Sequence, residues 1–194
     1  MQSASISRMK AICRLFILLA VSAGMLTGCS LSIRFGDFDL TYEYDTEWAA
    51  AYYYGYSEDD EAVEYRLELI VGRTDDDNNL TSYGSKASLV LNAPEQRDID
   101  LPDGTYSGGG SYTLSLGRES ESVDPDTYEF SYVEHVDFGT GSTMCYPVEQ
   151  GVVEVRREPD GEYEIKARLT VFGSNFDYEY EGPMDTYDLS DLQF

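Results

Sequence analysis

Apolar and polar residues alternate along several stretches of this chain, and a period of two is typical of strands with one buried face. In residues 37–45 and 63–71 every second side chain is apolar. Clusters of glycine, proline, aspartate and asparagine separate such stretches, as turns do. After residue 28 no segment longer than a turn has helical spacing. The pattern therefore predicts an all-β domain.

Two turns in residues 151–182 predict the register of three strands. Residues 159–161 (Pro-Asp-Gly) suit a three-residue hairpin loop with Gly161 in the left-handed conformation, and Gly173-Ser174 suits a two-residue type II′ turn. Both registers place apolar pairs on one face and opposite charges on the other. The predicted pairs are Val155–Ile165, Val153–Ala167, Arg156–Glu164 and Glu154–Lys166 for the first turn, and Val171–Phe176, Leu169–Tyr178, Ala167–Tyr180, Arg168–Glu179 and Lys166–Glu181 for the second.

Consecutive hairpins predict an antiparallel up-and-down meander, with one solvated and one buried face, that closes into a lipocalin- or calycin-like barrel of eight to ten strands. A two-sheet β-sandwich is the alternative, because the pattern does not show which distant strands pair. We expect a single antiparallel β domain at residues 37–183 and a C-terminal tail at residues 184–194. Its length is typical of one domain.

The first 28 residues have a different character. Arg8, Lys10 and Arg14 precede an apolar run at residues 15–26, which is the layout of a secretory signal. The run is shorter than the roughly 20 apolar residues that a spanning helix needs. We therefore expect a leader and not a transmembrane helix.

The leader ends in Leu26-Thr27-Gly28-Cys29, which resembles a bacterial lipobox. The resemblance implies a diacylglycerol thioether on Cys29, cleavage before it and acylation of the new amino terminus. Residues 1–28 are then a lipoprotein signal peptide and residues 29–36 a lipidated tether, with the acyl chains holding the protein on the membrane. The alternative is ordinary cleavage near residues 20–23, which would leave Cys29 as a free thiol.

The chain is strongly acidic, with 37 Asp and Glu, 13 Lys and Arg, and a formal net charge of −24. Without the three basic residues of the leader the formal charge is −27. Nucleic acid and anionic lipid headgroups are disfavoured as partners, since like charges oppose their approach. Seventeen Tyr and eight Phe argue against a disordered chain.

Few residues suggest catalysis. His135 is the single histidine, and Ser131 lies about 13 Å from it along an extended strand, beyond hydrogen-bond reach. We expect an exposed strand histidine beside Asp137. Cys145 has no disulfide partner, because Cys13 is in the leader and Cys29 takes lipid. Its flanks are apolar, so a buried and inert thiol is expected. We expect no catalytic residue.

Two further segments are candidate binding sites. An extended strand would place Trp48, Tyr52, Tyr54 and Tyr56 on one face, which is a candidate ligand or partner surface if exposed and core or cavity wall if buried. Aromatic residues are so common in strands that the core interpretation is favoured. A second group, Asp75, Asp76, Asp77 and Asn78, offers hard oxygen ligands for calcium but lacks the spaced order of known calcium loops, and a plain hairpin tip is the alternative. No other cofactor is expected.

Three further segments accompany the lipobox: residues 53–56 (YYGY), residues 101–106 (LPDGTY) and residues 176–183 (FDYEYEGP). Together the four segments resemble calycin-like β-lipoproteins of Bacteroidota, a group without an agreed activity. The resemblance implies a cell-envelope location and transfers no catalytic residue. Ser30 after the lipidated cysteine resembles lipoproteins sent to the outer membrane, and both the periplasmic face and the cell surface stay open.

These observations predict a lipid-anchored envelope module that binds a glycan, a small apolar ligand or a protein partner and is not an enzyme. One alternative is a structural or assembly subunit of the envelope without a small ligand. The other is a hydrolase with paired carboxylates, because 37 acids place some pair at a suitable separation by chance. A hollow or a filled barrel interior would distinguish these functions.

Overall fold

The computed structural model describes residues 29–33, 40–57, 61–74, 80, 84–94, 99–118, 123, 130–136 and 143–191. These residues contain thirteen strands and no helix, so the predicted all-β class is confirmed. The strands are β1 (Cys29–Ile33), β2 (Leu40–Asp45), β3 (Trp48–Ser57), β4 (Ala62–Val71), β5 (Ser85–Ala93), β6 (Gly104–Ser107), β7 (Thr113–Leu114), β8 (Tyr132–Val136), β9 (Thr143–Pro147), β10 (Gln150–Arg157), β11 (Tyr163–Val171), β12 (Ser174–Gly182) and β13 (Asp185–Asp188).

The strands form one mixed sheet that curls into a half-barrel. Its order is β1-β2-β12-β11-β10-β6-β7-β5-β4-β3-β13, with β8 attached to β5 and β9 to β8. Two antiparallel meanders, β3-β4-β5 and β10-β11-β12, follow chain order as predicted. The purely antiparallel up-and-down order is wrong elsewhere, because β12–β2, β13–β3 and β6–β7 are parallel pairs. None of these three pairs is joined by a hairpin turn that the sequence could reveal.

Both ends of the predicted domain also pair. Residues 29–33, expected to be a tether, form β1 and lie antiparallel to β2. Residues 185–188, expected to be a tail, form β13 and lie parallel to β3. The two segments are therefore edge strands of the sheet. Residues 185–188 lack apolar alternation, whereas residues 29–33 have it, and the lipobox resemblance gave a tether in place of a strand there.

The inner face of the half-barrel is filled with side chains. Both meanders contribute to one continuous core, in which Tyr65, Tyr106, Tyr163 and Tyr178 are almost completely buried. The Tyr106 hydroxyl donates a hydrogen bond to the Pro102 carbonyl oxygen at 2.9 Å. The inner face is thus packed core where the structure describes it.

One predicted hairpin register is confirmed and the other is shifted. Gly161 has φ +94°, and β10 and β11 pair as the sequence predicts, with Val155 opposite Ile165. The next turn is Phe172-Gly173, with φ +48° and +69°, which is typical of type I′. Leu169 therefore faces Phe176 and not Tyr178. A shift of two residues keeps every side chain on its predicted face.

The two meanders differ on their outer faces. Along β10, β11 and β12 the outward side chains, such as Glu154, Arg168 and Glu179, are exposed, as predicted. On β4 and β5 the inward side chains are buried, and the outward ones are buried, as for Arg66 and Lys86, or half-buried, as for Glu68. The prediction of one wet face thus holds for one half of the sheet and is wrong for the other.

Replacing Gly161 with alanine should lower the free energy of unfolding by about 1–2 kcal/mol, because a Cβ disfavours the left-handed backbone there. No atom lies within 4 Å of the added Cβ, so the loss reports backbone conformation alone. Gly109→Ala is the matched control, since its Cβ also meets nothing and its φ is not in the left-handed region. Urea unfolding that shows equal stability for both variants would contradict the assigned loop.

Candidate functional site

The predicted aromatic face of β3 is divided by a β-bulge. The register moves from Tyr53 opposite Tyr65 to Gly55 opposite Glu64, so Tyr54 has no opposite residue. Gly55 has φ +96°, a backbone conformation that suits glycine. Beyond the bulge Tyr56 lies opposite the inward-facing Val63, whereas Trp48 and Tyr52 belong to the outer face. The prediction that the four aromatic residues share one face is therefore wrong.

Each of these aromatic residues has a different environment. Trp48 is half-buried and packs against a small outer cluster of Ile70, Leu80 and Val136. The Tyr52 ring stacks on Tyr187 at 5.4 Å between centroids. Tyr54 is half-buried, and Tyr56, at the end of β3, is about half exposed. The core interpretation fits Trp48 best, and no continuous aromatic platform forms.

The outer face of β4, β5 and β8 holds a buried group of charged residues, here called the outer-face cluster. Its members Arg66, Glu68, Lys86 and Glu134 alternate with inward apolar residues on neighbouring strands. Lys86 Nζ lies 3.1 Å from Glu134 Oε2, and both side chains are less than one-tenth exposed. Tyr52 donates its hydroxyl proton to Glu68 Oε2 at 3.3 Å.

The electrostatics of this cluster indicate a structural role. Burial raises the pKa of Glu68, although Lys86 and Arg66 oppose that rise. Burial alone would lower the pKa of Lys86, but Tyr132, Glu134 and Glu68 outweigh it and raise the pKa. An ammonium with a raised pKa stays protonated and is not a nucleophile at neutral pH. The cluster therefore brings two cations and two carboxylates together, and Lys86 carries its charge at neutral pH.

His135 and Cys145 do not form a reactive pair. The β8–β9 register sets Cys145 opposite Glu134 and Met144 opposite His135, so the two side chains lie on opposite faces. Burial raises the pKa of the Cys145 thiol, which agrees with the expected inert cysteine. Ser131 is held by the Val90 amide, which donates to its hydroxyl oxygen at 2.9 Å.

The expectation of an exposed His135 is wrong. Its ring is half-buried on the inner face, against Tyr42 and Phe176, and its Nδ1 lies 3.4 Å from the Tyr44 hydroxyl. This position arises because β8 lies across the half-barrel from β2 and β12. Asp137, the expected neighbour, lies outside the described residues.

A groove of about 510 Å³ lies on the outer face, where β4 begins and β5 ends. This volume is within the range of roughly 300–1,000 Å³ that is usual for small-ligand sites. Its described lining combines hydroxyl, amide and carboxylate groups with a glycine backbone. The lining residues are Glu61, Ala62, Asn92, Pro94, Gly110, Ser111 and Thr113.

The walls of the groove are held by local contacts. The Asn92 amide donates to the Ser115 hydroxyl at 3.2 Å, which orients the Asn92 side chain. The Tyr112 ring packs so closely on Gly104 that a Cβ there would lie 2.7 Å from it, which positions the loop that carries Gly110 and Ser111. Glu61 has φ +50°, an unusual backbone conformation for a residue other than glycine. Strain of this kind is often found at binding sites.

A second exposed feature is the hairpin-tip patch, formed by Met144, Tyr146 and Phe172. The Tyr146 and Phe172 rings lie 5.6 Å apart between centroids. The Tyr146 hydroxyl donates to Met144 Sδ at 3.1 Å. Phe172 is 64% exposed. The patch is an apolar surface on an otherwise acidic chain.

Several predicted sites lie outside the described residues. These include the lipobox residues Leu26, Thr27 and Gly28 and the calcium candidates at residues 75–78; for Cys29 the structure describes the backbone in β1. Within the described ranges, no three His, Cys, Asp or Glu side chains gather as a metal site would require. The same ranges contain no helix long and apolar enough to cross a bilayer.

Comparison with known proteins gives no relative: neither a protein-family model, nor a curated protein, nor a solved structure matches this chain. The candidate sites therefore depend on their own geometry.

Neither the outer-face cluster nor the groove was predicted. The nearly continuous burial of residues 85–93 has a sequence signal, because strands covered on both faces read as unbroken small and apolar runs, and residues 87–91 form such a run. Lys86 directly precedes this run and points outward, so the run also indicates that the charge of Lys86 is buried. The groove has no such signal, because three separate segments build it.

Lys86→Met should lower the free energy of unfolding by about 3–5 kcal/mol, because it leaves the Glu134 carboxylate buried without its cation. The double variant Lys86→Met/Glu134→Leu should recover most of that loss, since no uncompensated charge remains. The control is Arg168→Met, which breaks the exposed Arg168–Glu154 pair and should cost less than about 1 kcal/mol. Chemical unfolding in which Lys86→Met costs no more than this control would overturn the assignment.

Proposed function

We propose that this protein is a lipid-anchored, non-enzymatic module of the cell envelope that binds a neutral glycan in the outer-face groove. The observation that carries this proposal is the outer-face groove of about 510 Å³, which is lined mainly by polar groups, whereas the described inner face of the half-barrel is packed core.

The lining of the groove favours a hydroxylated ligand over an apolar one. Ser111 and Thr113 offer hydroxyls, Asn92 offers an amide, and Gly110 brings its backbone to the surface. Such groups exchange hydrogen bonds with sugar hydroxyls, whereas an apolar ligand would leave them buried without partners. A small apolar ligand inside the barrel is disfavoured because tyrosine and aliphatic side chains occupy that space.

Charge favours a neutral glycan and binding without hydrolysis. The mature chain has a formal charge of −27, and Glu61 adds a carboxylate at the groove, so an anionic sugar would meet repulsion. Among the described lining residues Glu61 is the single carboxylate, whereas glycoside hydrolysis ordinarily requires two. We therefore place the protein with binding modules and not with hydrolases.

The lipid anchor is supported by the leader and lipobox of the sequence. Cleavage before Cys29 would make this residue the first of the mature chain and also the first of β1. Two or more acyl chains on it give stable attachment to a bilayer, where one chain gives only marginal binding. The resemblance to envelope lipoproteins of Bacteroidota supports an outer-membrane location.

Cys29→Ser should abolish incorporation of radiolabelled palmitate and release the protein from the membrane fraction, because no acyl chain can be attached. Cys145→Ser is the matched control and should incorporate label as the parent does. Both are measured in cells that express the full chain, by autoradiography and by fractionation. Unchanged labelling of Cys29→Ser would refute the anchor.

Ser111→Trp should weaken glycan binding more than tenfold by filling the groove, and Thr113→Val should weaken it roughly fivefold, the loss of one hydrogen bond of about 1 kcal/mol. The full chain in detergent is first screened against an array of neutral and anionic oligosaccharides, and the best neutral ligand is then titrated by calorimetry. Thr105→Trp, on the exposed face of β6, is the control and should bind as the parent does. Binding that is confined to anionic sugars, or equal in all variants, would contradict the proposal.

A further inference from the structure

The tip of the β11–β12 hairpin carries an exposed aromatic ring on a strained backbone. Phe172 occupies the first position of the type I′ turn with φ +48°, where asparagine or glycine fits with less strain. Phe172 is 64% exposed, so its contact with the Tyr146 ring covers only part of it. Folding stability alone would favour another residue at this position, which indicates a role for the ring outside the fold.

Phe172 is also part of a larger apolar surface. The hairpin-tip patch adds Tyr146, whose ring lies beside that of Phe172, and Met144, which is 42% exposed. The Phe172 amide is itself satisfied, since it donates to the Glu149 carboxylate at 2.7 Å. The carboxylate is thereby held against the backbone of the turn, beside the exposed Phe172.

The strand register places this patch near the anchor. Cys29 pairs with Tyr44 on β2, and Tyr44 pairs with Tyr178 on β12. From Tyr178 to Ser174, the residue after the turn, is about 13 Å along an extended strand, and β1 and β12 are separated by two strand spacings of about 5 Å each. Phe172 and Cys29 are therefore roughly 20 Å apart on the same edge of the sheet, close enough to meet one bilayer surface.

Exposed carboxylates are more numerous on one side of Cys29 than on the other: on the side of the hairpin tip, Glu43 is the exposed carboxylate among the described residues of β2 and β12. Beyond Cys29, away from the hairpin tip, the exposed side chains are carboxylates, and a lipid surface offers them no counter-charge. The turn itself, residues 171–174, contains no charged residue. The exposed carboxylates are Asp45, Glu47, Glu179 and Glu181.

We propose that the hairpin-tip patch is a second membrane contact, in which Phe172 enters the interfacial region of a zwitterionic phospholipid bilayer and holds the sheet edge β1-β2-β12 along its surface. This contact presupposes the lipid anchor proposed for Cys29. Aromatic side chains are favoured at the membrane interface, and an added contact of this kind fixes the orientation of a protein that acyl chains alone leave free to rotate.

The test uses the full lipidated chain in phosphatidylcholine vesicles. Trp48, the single tryptophan, is replaced by phenylalanine. One new tryptophan is then introduced by Phe172→Trp. The control protein carries Thr105→Trp instead, on the exposed face of β6. Brominated phosphatidylcholine should remove roughly half of the emission of the Phe172→Trp protein and leave that of the Thr105→Trp protein unchanged, because only the first lies at the bilayer interface. Circular dichroism checks that both variants keep the parent fold.

The membrane contact would be overturned, and the anchor left intact, if bromination of the lipid changed the emission of neither variant while the protein still floated with vesicles. Capture of residue 172 by a protein cross-linker in cells, with no lipid quenching, would overturn it in favour of a protein partner. Failure of the lipidated chain to float would instead refute the anchor itself. A Phe172→Asn protein should float normally yet show faster reorientation in fluorescence anisotropy if the contact exists.

Discussion

Burial of both faces of β4 and β5 is the constraint on which the rest of this fold depends. A strand covered on one side can place its charges in water, but Arg66 and Lys86 point away from the core and are still almost inaccessible. Their charges must be balanced inside the protein, and Glu134 is placed within contact of Lys86 by the pairing of β8 with β5. β8 is thus required electrostatically as well as for hydrogen bonding, which explains why it branches from the main path of the sheet.

The other half of the sheet has the opposite arrangement. On β10 and β11 the charges lie outside, where Arg156 contacts both Glu158 and Glu164. Exposed pairs of this kind contribute little to stability, and their role is to keep the surface solvated. The outer face of the half-barrel is therefore solvated along β10 and β11 and largely buried along β4 and β5. The candidate groove lies at the end of this largely buried outer face, where β4 begins and β5 ends.

Sequence reasoning succeeded where structure is determined locally. Gly161 and the alternation around it predicted a hairpin in full, because loop length and strand period together fix a register. At Phe172 the same reasoning chose the wrong two residues for the turn, since a phenylalanine with positive φ is locally unfavourable and no rule of turn chemistry selects it. The bulge at Tyr54 likewise divided an aromatic face that simple alternation had joined. The parallel pairs β2–β12 and β3–β13 and the groove could not be predicted, because each unites segments far apart in sequence. The third parallel pair, β6 with β7, is local but consists of one residue pair, Ser107 with Thr113, which no turn pattern identifies. The two residues other than glycine with positive φ in the described chain, Glu61 and Phe172, lie at the two proposed contact sites.

The parallel pairing of β2 with β12 has a consequence for biogenesis. β2 is among the first strands to leave the ribosome or a translocation channel, but its partner begins only at Ser174. Until residues 174–182 have been synthesised, β2 has an unpaired backbone edge, and such edges invite intermolecular association. Pairings between distant segments also form slowly. The sheet can therefore be completed only after the final strands have been synthesised. A topology of this kind favours a chaperone that shields the early strands until then.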